Sequence, residues 1–138
     1  LMERQEKFVA EGMRLENQKW LDENAQKEGV VTTASGLQYK VLVQGTGEKA
    51  TKESMVEVHY EGSLIDGTVF DSSYKRNQTA SFKPTQVIKG WTEALQMMPT
   101  GSTWELYIPY NLAYGERGNQ NIPPYSTLIF KVQVIAVK

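Results

Sequence analysis

At 138 residues the chain has the length of one domain with a small appendage, enough to bury a working core. A formal net charge of −1, with no local basic run, gives no electrostatic case for nucleic acid or an anionic membrane surface as partner. The absence of cysteine excludes disulfides, thiolate zinc sites and a cysteine nucleophile, and no apolar run is long enough to span a membrane.

Residues 1–28 read as one long helix, rich in Glu, Gln, Lys, Arg, Leu and Met, with Gly12 its one weak point. Met2, Val9, Met13 and Trp20 share a side, and Phe8 and Leu15 widen that stripe. Two readings stand: the helix lies on a partner helix in a dimer, or it is a solvated connector. The first is favoured, because leaving Phe8 or Trp20 in water costs about 1.5–3 kcal/mol each. The chain opens on Leu1 inside this pattern, so a missing upstream domain or export signal is an expectation. Residues 29–34, where Gly29-Val30-Val31-Thr32-Thr33 turns to extended chain, read as a linker, leaving residues 35–138 as the main domain.

Within that domain Leu37, Tyr39, Val41 and Val43 alternate with polar neighbours as a half-buried strand, and Val56, Val58 and Tyr60 as a second. Asp66-Gly67 between apolar runs signals a hairpin leading to Val69-Phe70. A polar loop, 71–81, precedes Val87-Ile88-Lys89-Gly90-Trp91, where the chain turns from extended to helical. Trp91, Ala94, Leu95 and Met98 form one face of a short helix, which must be held by packing because it is too short to stand alone. Trp104, Leu106 and Ile108, then Leu128, Phe130, Val132 and Val134, give two more strands. The predicted fold is α+β: an antiparallel sheet covering one short helix, preceded by the long N-terminal helix.

The chemistry is sparse. His59, the one histidine, sits on the less buried parity of its strand and reads as structural; one His and no Cys give no metal-ligand spacing. Neither a phosphate loop, a dinucleotide fingerprint nor a nucleophile elbow occurs. Asn77-Gln78-Thr79 matches a glycosylation acceptor, a pattern common by chance. What remains is a gathering of aromatics beside loops: Tyr60, Phe70, Phe82, Trp91, Tyr114 and Phe130, with Val87, Ile88 and Ile122. These are either ordinary core or the walls of an apolar ligand pocket.

Five ordered motifs resemble the FKBP-type peptidyl-prolyl cis-trans isomerases: Val58-His59-Tyr60-x-Gly62, Asp66-Gly67-x-Val69-Phe70-Asp71-Ser72-Ser73, Val87-Ile88-x-Gly90-Trp91, Leu112-Ala113-Tyr114-Gly115 and Ile122-Pro123-Pro124-x-x-Thr127-Leu128-x-Phe130. Ser35 to Val41, Trp91 to Gln96 and Gly101 to Glu105 bring the chain nearest to the bacterial macrophage infectivity potentiator (Mip) group of that family. The resemblance implies a curved sheet wrapped on the short helix, with a pocket between them and isomerisation of Xaa-Pro bonds as its activity. It makes Trp91 the floor, Tyr60, Phe70, Val87, Ile88, Tyr114, Ile122 and Phe130 the walls, and Asp71 the polar wall residue. The Ile88 N–H and the Tyr114 hydroxyl become donors to a bound carbonyl, and Arg76 lies near Asp71. Arg76, Phe82, Gln86 and Asn121 form the rim, where Ala80, Gln86 and Asn121 depart from common family residues.

No metal or cofactor is implied. Expected substrates are proline-containing peptides and unfolded protein chains, with macrolide inhibitors as further ligands and chaperone capacity in a dimer. The group implies dimerisation through the N-terminal region and residence in a bacterial cell envelope, in periplasm or outer membrane, with the cytoplasm as alternative. Removing residues 1–28 is expected to leave peptide turnover nearly unchanged. The rival readings are a binding module that retains the pocket but turns over poorly, and an adhesion domain whose aromatics are core.

Overall fold

A computed structural model describes the backbone of residues 2–138 and the side chains of residues 11–138. The stripe assigned to Met2, Phe8 and Val9 lies outside those described side chains. Helix α1 (Met2–Asn24) is followed by β1 (Val30–Thr32), β2 (Gln38–Val43), β3 (Val56–Ser63), β4 (Val69–Ser72), β5 (Ala80–Phe82), α2 (Lys89–Met97), β6 (Thr103–Ile108) and β7 (Leu128–Val137). All pairings are antiparallel in the order β1-β2-β6-β7-β3-β4, with β5 also on β3. This is the α+β sheet-and-helix architecture that the alternation and the Trp91 face predict.

β3 alternates strictly between buried and half-buried residues, turning Val56, Val58 and Tyr60 inward. β7 does the same over its first half with Leu128, Phe130, Val132 and Val134. Against this inner face lies α2, burying Trp91, Ala94 and Leu95, while Met98, which ends the helix, is fully enclosed. Removing each large side chain from water is worth about 1.5–3 kcal/mol, which is what holds a helix of this length. Gly90 allows the close approach: a Cβ there would lie 2.6 Å from Ile108 Cγ2 on β6.

One edge of β3 carries two partners. β5 pairs with Val56–Val58 and β4 with Glu61–Ser63. In the gap between them the Ser73 N–H donates to the Tyr60 carbonyl at 2.9 Å. The polar loop after β4 therefore leaves the sheet beside Tyr60 and returns through β5.

Three features differ from the sequence reading. The segment read as a linker contains β1, which pairs with Thr32 opposite Gln38 and Val30 opposite Lys40. Because β1 stops there and β2 bulges between Val41 and Val43, those two valines are 40% and 53% exposed and do not continue the buried stripe of Leu37. The third concerns α1, whose C-terminal half packs on its own chain, a contact that neither the partner-helix nor the solvated-connector reading contains. Leu21 is buried, the Trp20 ring meets Tyr107 at 5.8 Å, and polar side chains complete the seam. Asn24 Nδ2 donates to Gln38 Oε1 at 2.8 Å, Gln38 Nε2 donates to the Leu21 carbonyl at 3.0 Å, and the Thr127 N–H donates to Asn17 Oδ1 at 2.8 Å.

Candidate active site

Between α2 and the β3–β4–β5 edge opens a cavity of about 530 Å³, within the usual range for a small-ligand site. Trp91, in the first turn of α2 and only 3% exposed, is one of its lining residues. Three rings stand edge-on to the indole, Tyr60 at 5.2 Å and 86°, Phe82 at 5.7 Å and 87°, and Phe130 at 5.1 Å and 82°. Phe70 adds a further edge-on contact, 5.5 Å from Phe130. Such perpendicular pairs match ring edge to ring face and are each worth about 0.5–1.5 kcal/mol beyond area burial, which fixes the collar in place. Gly62 makes room for it, since a Cβ would lie 2.6 Å from both Phe130 Cε1 and Phe70 Cζ.

One wall is polar. The Tyr60 hydroxyl donates to Asp71 Oδ2 at 2.6 Å and accepts from Arg76 Nη2 at 3.0 Å, while Arg76 Nη1 pairs with the other Asp71 oxygen. Burial pushes the Asp71 carboxyl up, but the Tyr60 hydroxyl and the Arg76 guanidinium outweigh it and leave the pKa below the usual carboxylate range. Burial, aided by the Asp71 carboxylate, raises the Tyr60 phenol. At neutral pH the carboxylate is therefore charged and the phenol keeps its proton.

The opposite wall comes from the segment before α2. Gln86, Val87 and Ile88 line the cavity, and Gln86 Oε1 accepts the Lys83 N–H at 3.3 Å. Among the described residues the Ile88 N–H has no backbone or side-chain acceptor, as suits a donor at the mouth of a site. Tyr114 completes the lining and is 43% exposed.

The structure thus brings together Tyr60, Phe70, Asp71, Phe82, Gln86, Val87, Ile88, Trp91, Tyr114 and Phe130 around one space. Arg76 stands behind Asp71 and Tyr60 and holds both without lining the cavity. Ile122 is different: it is 3% exposed and packed in the core, with no part in the lining. Asn121 is exposed in the turn that Asn119 Oδ1 closes by accepting the Asn121 and Ile122 N–H groups, and it too lies off the lining. His59 bonds Ser73 Oγ through Nδ1 at 2.8 Å and stacks on Tyr74, outside the cavity. Ser73 was not singled out from the sequence, although the Asp71-Ser72-Ser73 run contains it. Fully buried, its hydroxyl receives the Tyr60 N–H at 2.7 Å and fixes the backbone behind the phenol.

An aromatic collar without a nucleophile and base facing each other suits binding and conformational work on a ligand. The sequence model described as FKBP-type peptidyl-prolyl cis-trans isomerase matches residues 46–135. The chain belongs to the FKBP-type isomerase family. A second model, the domain amino terminal to FKBP-type peptidyl-prolyl isomerase, matches residues 1–41. The chain is 53% identical over 135 residues to the FKBP-type 22 kDa peptidyl-prolyl cis-trans isomerase of Escherichia coli strain K12, a match covering 97% of this chain and 65% of that protein. It is 52% identical over 130 residues to the outer membrane protein MIP of Legionella longbeachae, covering 94% of this chain and 56% of that one. Among solved structures, FkpA from Escherichia coli superposes with a TM-score of 0.94 at 39% identity, over 99% of this chain and 64% of that chain. The chain therefore spans somewhat more than half of the length of these FKBP relatives.

Proposed function

We propose that this chain accelerates cis-trans isomerisation of Xaa-Pro bonds in peptides and unfolded proteins. The observation that carries the reading is the cavity over Trp91, ringed by aromatic edges and holding one charged, fully bonded polar wall.

The imide bond turns slowly because resonance must be broken, a barrier of about 18–20 kcal/mol. In the twisted amide the nitrogen lone pair is withdrawn from the carbonyl, which becomes less polar than in the planar form. Water favours the planar, polar form; a dry aromatic cup favours the twisted one. Only that difference accelerates the step. A thousandfold to millionfold acceleration needs about 4–8 kcal/mol. The prolyl ring would rest on Trp91, the Ile88 N–H and Tyr114 hydroxyl would hold a neighbouring carbonyl, and Asp71 with Arg76 would keep the Tyr60 face fixed. No proton is transferred. The charged Asp71 and protonated Tyr60 suit this role, since neither is poised as an acid or base at neutral pH.

The test is a proline-peptide isomerisation assay on the protein with Trp91→Leu and Asp71→Ala as controls. Acceleration that both variants diminish supports the reading; a wild-type rate equal to the uncatalysed one removes it in favour of a binding module. Ile122 and Asn121 are not assigned to the site. Rapamycin-like macrolides are proposed as competing ligands for the same cup. A bacterial cell envelope is the proposed location, on the likeness to the outer membrane protein MIP; none of the described helices is long and apolar enough to cross a membrane. Dimerisation and chaperone capacity through α1 are proposed on the 56% exposure of Leu15, and sedimentation decides the first.

A further inference from the structure

We infer that Asn17 of α1 is a positioning residue for Tyr114, so that the helix braces one wall of the cavity. This deepens the isomerase reading and rests on it for its kinetic consequence.

The loop joining β6 to β7 is tied to itself at several points. The Gly115 N–H donates to the Tyr110 carbonyl at 2.9 Å, the Tyr125 N–H donates to the Gly115 carbonyl at 3.2 Å, and the Tyr110 and Tyr125 rings meet edge-on at 4.9 Å. Ser126 Oγ closes the next turn on the Pro123 carbonyl at 2.7 Å. Tyr125 is held at φ 59°, a left-handed conformation that a side chain disfavours and that persists only where surroundings enforce it. Two residues on, the Thr127 N–H anchors the end of that turn: the residue is 1% exposed, and its acceptor is Asn17 Oδ1 at 2.8 Å. Asn17 is in turn oriented by donation from Nδ2 to the Met13 carbonyl at 2.7 Å.

Among the described residues this is the one hydrogen bond from α1 to the loop. Remove the acceptor and a buried N–H is left unsatisfied, so the turn must shift or admit water. The shift reaches Gly115 through Tyr125, and Tyr114 moves with its neighbour. Tyr114 is exposed, and among the described residues its side chain makes no hydrogen bond of its own, so its place at the cavity is set by this backbone. This runs against the expectation that removing residues 1–28 leaves peptide turnover nearly unchanged, and the experiment below decides between them.

The experiment compares wild-type protein, Asn17→Ala and Leu21→Ala. Leu21→Ala removes a buried side chain from the same helix seam while keeping the Asn17 acceptor of the Thr127 N–H. Two readouts are taken: kcat and KM for a proline peptide, and amide hydrogen exchange of residues 111–119. Asn17→Ala is expected to raise KM about threefold to tenfold with a smaller change in kcat, as loss of one placed contact implies. It is also expected to speed exchange across 111–119, while Leu21→Ala at a matched or larger fall in thermal midpoint leaves that segment as in wild type. Unchanged exchange in Asn17→Ala, or equal acceleration in both variants, overturns the inference. Exchange is read without turnover, so a wild-type protein inactive on the peptide would remove the isomerase reading and leave the brace to be decided on this arm.

Discussion

The Tyr60 hydroxyl donates to the Asp71 carboxylate at 2.6 Å beside the split edge of β3, so the two residues that flank the loop exit are bonded to each other in one wall of the cavity. Removing the hydroxyl alone tests what that bond does. Tyr60→Phe keeps the ring against Trp91 and leaves Asp71 with Arg76 as its remaining side-chain partner. Loss of one charge-assisted bond is expected to lower kcat/KM for a proline peptide about fivefold to tenfold, with little change in fold by circular dichroism.

The same carboxylate predicts a pH dependence of stability. Its pKa is lowered in the folded state, chiefly because the Tyr60 and Arg76 bonds override burial, so folding favours the charged form. The stabilisation is therefore fully present above the unfolded value, about 3.9, and is lost as pH falls through the lower folded value. Denaturation of wild type and Asp71→Asn between pH 2 and 7 should show a constant gap above about pH 5 that closes in acid.

Gly62→Ala should widen or skew the collar. The added methyl group would meet the edges of Phe70 and Phe130 at 2.6 Å, and those rings must move. An overpacked site of this kind costs about 1–3 kcal/mol. Urea denaturation measures that loss, and peptide kinetics should show KM rising with it.

Thr127→Val is expected to leave stability unchanged or raise it slightly. The Thr127 hydroxyl is buried with no partner among the described residues, whereas its N–H is satisfied by Asn17. Valine has the same branched shape and removes a polar group that costs about 1–3 kcal/mol when left unpaired. A thermal midpoint several degrees below wild type would show that the hydroxyl is bonded in solution.

Much of the fold was legible because its elements bury regular stripes. The Trp91, Ala94, Leu95 and Met98 face and the alternation of β3 and β7 follow from burial on one side, which periodicity reads directly. Residues Val30–Thr32 read as extended chain but not as a paired strand, because three residues are too few to show a period. The docking of α1 was missed for another reason. Its seam uses Asn17 and Asn24, spaced with Leu21 along one face, and a search for apolar stripes passes over buried asparagines. At the site, Tyr60, Phe70, Asp71, Trp91 and Phe130, on strands and at the start of α2, line one cavity, whereas Ile122, whose N–H Asn119 Oδ1 accepts, is buried in the core, a position that no local pattern carries.

The divided edge of β3 separates two design problems that most sheets solve together. Strand pairing on either side keeps the body registered, while residues 73–79 span the interruption behind the polar wall. Substitutions in that span therefore reach the cup indirectly, through Ser73 and Arg76, which bond Tyr60 and Asp71 from outside it.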